Sequence, residues 1–141
     1  MFTAPAWYLK QTISHSSLPK PIFTHAGYVI ISVPNAPPQN VQVDATSVHT
    51  ARVSWTPPPA DQQNGVIRSY TVRLTNVVTR ERSEFTTTST THQLSRLQAN
   101  TQYSVVVAAS TRVGTGPFSQ SIALETGTTS EYKIKLNIIA I

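Results

Sequence analysis

The fold is decided by one stretch of the sequence, LQANTQYSVVVAAS, residues 97–110. After Thr101 the side chains alternate between two sides. One side carries Tyr103, Val105, Val107 and Ala109, and the other carries Gln102, Ser104, Val106 and Ala108. A period of two is typical of a β-strand with one buried face. The leucine that precedes the tyrosine resembles the start of a tyrosine corner, in which the phenol hydrogen-bonds to backbone just upstream. The stretch therefore predicts a late strand of an all-β sandwich.

The composition agrees with an all-β fold. The chain has 141 residues, which suits one domain of typical size, and only 12% of them are charged. β-branched residues are abundant, whereas Glu and Lys are sparse. This balance favours strands over helices.

The net charge of +5 does not indicate a nucleic-acid binder. The lysines lie near the two ends of the chain, at Lys10, Lys20, Lys133 and Lys135, and residues 35–128 contain seven arginines against five carboxylates. These arginines are spread out, whereas a nucleic-acid interface concentrates them on one face. We expect no nucleic-acid partner.

The residues that catalysis or metal binding would need are absent or scattered. Without cysteine the chain has no disulfide, thiolate nucleophile or zinc–thiolate site. The four histidines lack metal-ligand spacing, and there is no nucleophile elbow or phosphate-binding glycine loop. The few carboxylates offer no acid–base pair. The sequence therefore predicts no enzyme, no cofactor and no metal.

Turn-forming residues divide residues 34–128 into seven predicted antiparallel strands. Asn64-Gly65 predicts a left-handed turn, and residues 112–117 predict the last turn, where Gly114 and Gly116 allow positive φ. The predicted strands are Val41–Ala45, Thr50–Thr56, Ile67–Thr75, Ser83–Thr87, Thr91–Leu97, Thr101–Ser110 and Phe118–Thr126. The core is expected to include Trp55, Tyr70, Leu97, Tyr103 and Val105.

Two surfaces are candidates for contact with a partner. One is a sheet face that carries Arg73 together with Val106 and Ala108, two apolar residues in an otherwise polar row. The other is a loop end near residues 57–63, because sandwich domains often recognise partners through loops. The candidate residues of this loop end are Arg112, Val113 and Thr115.

Six pieces of the sequence, in order over residues 34–128, resemble a fibronectin type III domain. They are Ala-Pro-Pro (36–38), Val-Ser-Trp (53–55), Asn-Gly-Val-Ile (64–67), Tyr70 in the third predicted strand, the stretch 97–109, and Gly-Thr-Gly-Pro (114–117). The resemblance implies a seven-stranded antiparallel sandwich of the immunoglobulin-like class. Trp55 lies in the second predicted strand, whereas immunoglobulin domains place theirs in the third. Asn100 stands where the family usually has glycine, and asparagine tolerates the left-handed turn. The chain looks most like repeats in receptor tyrosine phosphatase and neural adhesion molecule ectodomains.

The resemblance implies a non-catalytic protein-interaction or spacer module of a larger cell-surface adhesion or receptor protein. Its partners would be other proteins and neighbouring modules of the same chain, in an extracellular setting. Integrin binding through Arg-Gly-Asp is not expected, because that tripeptide is absent. Two alternatives stay open: an accessory spacer domain of a secreted carbohydrate-active enzyme, and an intracellular muscle-type repeat.

The two ends of the chain are predicted to be extensions. Residues 1–33 are expected to be mostly irregular, with residues 1–26 loosely packed and only residues 27–33 strand-like. Residues 1–17 lack the pattern of a signal peptide. In the second extension, 129–141, residues 132–141 fall short of the roughly 20 residues that span a bilayer. We expect no membrane insertion by this chain.

Overall fold

The computed structural model describes residues 31–131, which form a sandwich of two antiparallel sheets. Their strands are β1 (Gln39–Ala45), β2 (Ala51–Thr56), β3 (Ser69–Asn76), β4 (Arg82–Thr87), β5 (Thr91–Leu94), β6 (Gln102–Ser110), β7 (Thr115–Phe118) and β8 (Ile122–Glu125). The first sheet has the order β1-β2-β5. The second has the order β4-β3-β6-β7, and β8 also pairs with β6. The predicted all-β sandwich is confirmed. The prediction that residues 1–26 are loosely packed lies outside the described residues.

The core lies between the two sheets, and buried side chains therefore alternate with more exposed ones along the central strands. In β3, Tyr70, Val72 and Leu74 are buried, and their neighbours are partly exposed. The rings of Trp55 and Tyr70 meet edge to face, with centroids 5.4 Å apart and an interplanar angle of 62°, a geometry that aromatic pairs prefer. All five residues expected in the core are buried: Trp55, Tyr70, Leu97, Tyr103 and Val105.

The turn before β6 is a tyrosine corner. The Tyr103 hydroxyl accepts a hydrogen bond from the backbone N–H of Gln98 at 2.9 Å. Asn100 has a φ of 50°, so asparagine does occupy the left-handed position of this turn. The corner predicted from the leucine and the tyrosine is confirmed.

The predicted seventh strand, Phe118–Thr126, is wrong, because two strands share this region. β7 begins inside the predicted turn 112–117, and β8 follows after an interruption around Ser119. The Ser119 N–H donates to the Val107 carbonyl at 2.8 Å, and the Ser119 hydroxyl accepts from the Val107 N–H at 3.1 Å. A side chain thus replaces a backbone acceptor, and the ladder along β6 is broken there.

Among the described glycines only Gly65 has a positive φ, of 147°, so Gly114 and Gly116 are not needed for left-handed backbone. A Cβ at residue 116 would instead lie 2.7 Å from the Pro34 carbonyl oxygen, so close approach demands glycine there. Of the residues 27–33 that look strand-like in the sequence, 31–33 belong to no strand, and 27–30 lie outside the described residues.

Candidate interaction surfaces

The sandwich has two ends, which β6 connects. The end of the sandwich at which β2 and β6 finish, at Thr56 and Ser110, is called the upper end. The end at which β6 begins, at Gln102, is called the lower end. β6 has nine residues, so the two ends lie about 27 Å apart at about 3.4 Å per residue. Within residues 31–131 no cluster of three metal-ligating side chains occurs, and no helix is long and apolar enough to cross a membrane.

On the outer face of the larger sheet, Arg73 is held on both sides. Its Nε donates to Glu84 Oε1 at 2.6 Å, and its Cζ lies 3.9 Å from the centroid of the Phe118 ring. Since Glu84 belongs to β4 and Phe118 to β7, one side chain links the two edges of this sheet. Arg73 is thus engaged within the domain, and Val106, its register partner on β6, is half-buried beside it.

Ala108 lies on this outer face, as Val106 does, but it is not exposed there, so the expectation of two exposed apolar residues is wrong for Ala108. Ala108 is fully buried. It pairs with Phe118 across β6 and β7, and the larger ring shields the methyl group. The sequence pattern of β6 could not show that β7 would bring an aromatic residue to this position.

At the upper end, residues 31–35 lie between two loops. We call Ile31–Asn35 the leading segment. The Ser32 N–H donates to the Asn64 carbonyl at 3.0 Å, and Asn64 Nδ2 donates to the Val33 carbonyl at 2.9 Å. The Thr111 hydroxyl donates to the Ser32 carbonyl at 2.8 Å. The leading segment thus joins the β2–β3 loop to the β6–β7 loop.

The loop residues predicted as partner contacts lie at this upper end. Arg112 and Val113 are exposed, and the Thr115 hydroxyl pairs with that of Ser110 at 2.9 Å. Val113 is joined by two apolar residues of the same end that sequence reasoning missed. The exposed fractions are 42% for Ile31, 69% for Val66 and 57% for Val113.

At the lower end, Thr126 fixes the direction in which the chain leaves β8. Its side chain is 1% exposed, and its hydroxyl donates to the Gln98 carbonyl at 2.6 Å and accepts from the Thr101 N–H at 3.0 Å. The Asn100 N–H donates to the Gly127 carbonyl at 3.2 Å. The tyrosine corner therefore also anchors the residues after the last strand. Sequence reasoning missed Thr126, since a threonine at a strand end carries no distinctive signal.

Just beyond, Thr128 and Glu131 exchange hydrogen bonds. The Thr128 N–H donates to Glu131 Oε2 at 2.9 Å, and the Glu131 N–H donates to the Thr128 hydroxyl at 3.2 Å. This reciprocal pair is a capping box, the arrangement that begins a helix. Residues 129–131 have helical backbone accordingly.

The family follows from the comparison with known proteins. The family model for the fibronectin type III domain matches residues 36–125. The chain belongs to the fibronectin type III family. The resemblance drawn from the sequence is thus confirmed, and the eight strands described above are those of a fibronectin type III domain.

The relatives of this fibronectin type III domain include two large proteins. Mouse receptor-type tyrosine-protein phosphatase F is 39% identical over 100 residues, which cover 67% of this chain and 5% of the phosphatase. The rat cell adhesion molecule DSCAM is 37% identical over 102 residues, with the same coverage of 67% and 5%. The chain therefore spans about 5% of the length of these relatives.

A solved structure of a similar domain also matches this chain. The FN5 domain of Drosophila Lar matches with a TM-score of 0.57 and 30% sequence identity, over 68% of this chain and 99% of that chain. The finer resemblance to repeats of receptor tyrosine phosphatases and adhesion molecules is confirmed as well.

Proposed function

We propose that the chain is a non-catalytic spacer and protein-interaction module of a larger cell-surface receptor or adhesion protein. The observation that carries this proposal is the path of the chain through the sandwich. The leading segment is hydrogen-bonded to loops of the upper end, and residues 126–127 are hydrogen-bonded to the turn of the lower end. A module that receives the chain at one end and releases it at the other, both in fixed directions, suits the role of a spacer.

The relatives support the setting of this role. A receptor-type phosphatase and a cell adhesion molecule each contain a matching piece that is 5% of their length. By analogy, the parent of this chain would present the module outside the cell. Fold alone does not fix function, so this part of the proposal rests on the family.

For contact with a protein partner, we propose the exposed residues of the upper end. Arg112 and Val113 stand on the β6–β7 loop, with Thr115 at the start of β7 beside them. Recognition through loops held by a rigid scaffold is common in sandwich domains. The sheet face around Arg73 and Val106 is a second proposed contact, and there the arginine charge is already balanced by Glu84. We propose no nucleic-acid or integrin partner.

The experiment that tests the function is capture of the natural protein from the cell surface. Intact cells are biotinylated with a membrane-impermeant reagent, and an antibody against residues 31–131 precipitates the product. We expect a biotinylated polypeptide several times longer than this chain, with further domains in its peptide map. An unlabelled product inside the cell would overturn the proposal. A secreted product that carries a carbohydrate-active catalytic domain would overturn it equally.

A further inference from the structure

The leading segment makes more hydrogen bonds to the loops of the upper end than a linker on a protein surface requires. Within five residues, the Ser32 N–H, the Ser32 and Val33 carbonyls and the Asn35 N–H each have a partner in a loop. The Asn35 N–H, for example, donates to the Gln62 carbonyl at 2.8 Å. Backbone groups of a surface segment can be satisfied by water instead. These bonds therefore hold the segment in one path.

Asn64 contributes twice to this path. Its carbonyl accepts from the Ser32 N–H, and its side-chain Nδ2 donates to the Val33 carbonyl. Both groups reach the segment because Asn64 has a φ of 53° and Gly65 a φ of 147°. Asparagine is one of the few residues other than glycine that adopts this left-handed backbone readily.

Two glycines leave the space that the segment occupies. A Cβ on Gly65 would lie 2.9 Å from Ile31 Cγ2, and a Cβ on Gly116 would lie 2.7 Å from the Pro34 oxygen and 2.9 Å from the Pro34 Cβ. Real Cβ atoms essentially never come within 3.0 Å of another heavy atom such as these. Pro34 is fully buried, so a shift that made room for such a Cβ would also disturb the packing around Pro34.

We propose that Asn64, Gly65 and Gly116 form a clasp that holds the leading segment and sets the direction in which the chain joins the sandwich. This inference rests on the proposed spacer function, because a spacer benefits from a fixed direction of the chain where it enters the module. The clasp fixes residues 31–35 by hydrogen bonds and close packing alone. Its loss frees residues 31–35 and leaves the core in place.

The first test measures amide hydrogen exchange and residual dipolar couplings by NMR on the full chain. Asn64→Gly keeps the left-handed turn and removes the Nδ2 donor. We expect the Ser32 and Asn35 amides to exchange roughly threefold to tenfold faster, as the loss of one hydrogen bond predicts. Their couplings should no longer fit the alignment of the sandwich. The matched control is Asn100→Gly, the same change at a left-handed position of the lower end, and it should leave residues 31–35 unaffected.

The second test uses a pair of glycines of the upper end. Gly116→Ala drives a methyl group into the Pro34 backbone, so the Asn35 amide should exchange roughly tenfold faster or more. Gly114→Ala places its methyl group 3.2 Å from the Val33 Cγ1, a side-chain atom. Its effect should be clearly smaller, and neither position has a positive φ to confuse the comparison.

Three results would overturn the clasp. One is a Ser32 amide in the natural protein that exchanges as fast as in a free peptide. Another is equal behaviour of the Asn64 and Asn100 variants. The third is faster exchange at the core amides of Val72 and Val105 by the same factor as at residues 31–35, because the effect would then be global. None of these results would change what the antibody captures at the cell surface, so failure of the clasp and failure of the spacer function are distinguishable.

Discussion

At the scale of single residues, one phenol oxygen holds the turn before β6. The Tyr103 hydroxyl is the acceptor for the Gln98 N–H, so Tyr103→Phe leaves that donor without its partner. We expect the free energy of unfolding to fall by about 1–2 kcal/mol. Urea unfolding with an unchanged m-value would measure it.

The control for this prediction is the other core tyrosine. Tyr70 is buried, and its hydroxyl has no hydrogen bond to another described residue. Tyr70→Phe should therefore change the stability by less than about 0.5 kcal/mol at neutral pH. Equal losses in the two variants would show that the hydrogen bond of Tyr103 adds no more stability than the hydroxyl group of Tyr70.

The same Tyr70 predicts a pH dependence. Burial raises the pKa of the Tyr70 phenol above its usual 10.0, because the phenolate would lose hydration. As the pH rises, the unfolded chain then loses this proton before the folded chain does, so unfolding becomes more favourable. The contribution is complete below about pH 10 and is lost as the pH rises through the raised pKa.

Unfolding curves between about pH 8 and 11 test this sign. Above about pH 10 the natural protein should lose stability more steeply than Tyr70→Phe, and the two should run parallel below it. All other side chains are the same in the two proteins, so the difference between their curves isolates Tyr70. Parallel curves throughout would contradict the prediction.

At the scale of elements, the Arg73 side chain of β3 links the edge strands β4 and β7 of its sheet. The side chains of Arg73 and Glu84 are 30% and 52% exposed, so water screens their ion pair. Glu84→Gln should cost less than about 1 kcal/mol. Arg73→Met also removes the contact with Phe118 and should cost more, about 1–2 kcal/mol. Thermal unfolding of both variants gives the comparison.

Arg82→Met is the matched control for this element. Arg82 is an exposed arginine of β4 with no partner among the described residues, so its loss should be close to neutral. A loss for Arg82→Met as large as for Arg73→Met would mean that general charge, rather than the bridge across the sheet, sets the cost.

The elements also show what the sequence could predict. β2, β3 and β6 were predictable, because inward and outward residues alternate along each of them. The break between β7 and β8 was not, since it depends on where the Ser119 hydroxyl points once β6 lies beside it. The burial of Ala108 was not predictable either, because it depends on Phe118 of β7 lying opposite it.

The upper end was predictable only in part. The exposed loop residues Arg112 and Val113 could be named from the turn signals around them. The leading segment was not predictable, because its hydrogen bonds join residues that are far apart in the sequence. Asn64 and Val33 are separated by 31 positions, and Thr111 and Ser32 by 79 positions. Neither composition nor periodicity reports such distant pairs of polar groups.

At the scale of the whole molecule, the direction of load follows from the positions of the two terminal strands. β1 starts at the upper end, where Gln39 pairs with Thr56, and β8 finishes at the lower end, where Glu125 pairs with Gln102. Tension between the two ends of the sandwich therefore runs along the strands. It loads the hydrogen bonds of each ladder together rather than one after another.

Single-molecule pulling tests this, and the absence of cysteine makes the attachment points unambiguous. Cysteines introduced as Gln39→Cys and Glu125→Cys pull along the strands. Gln39→Cys with Thr56→Cys pulls β1 away from β2 starting at one end of the ladder, so its bonds break in turn. Since forced unfolding is governed by the rate of unfolding, the first pair should need the higher force at the same loading rate. Equal forces would show that the strands do not carry the load in parallel, and the proposed role as a stiff spacer would lose its mechanical basis.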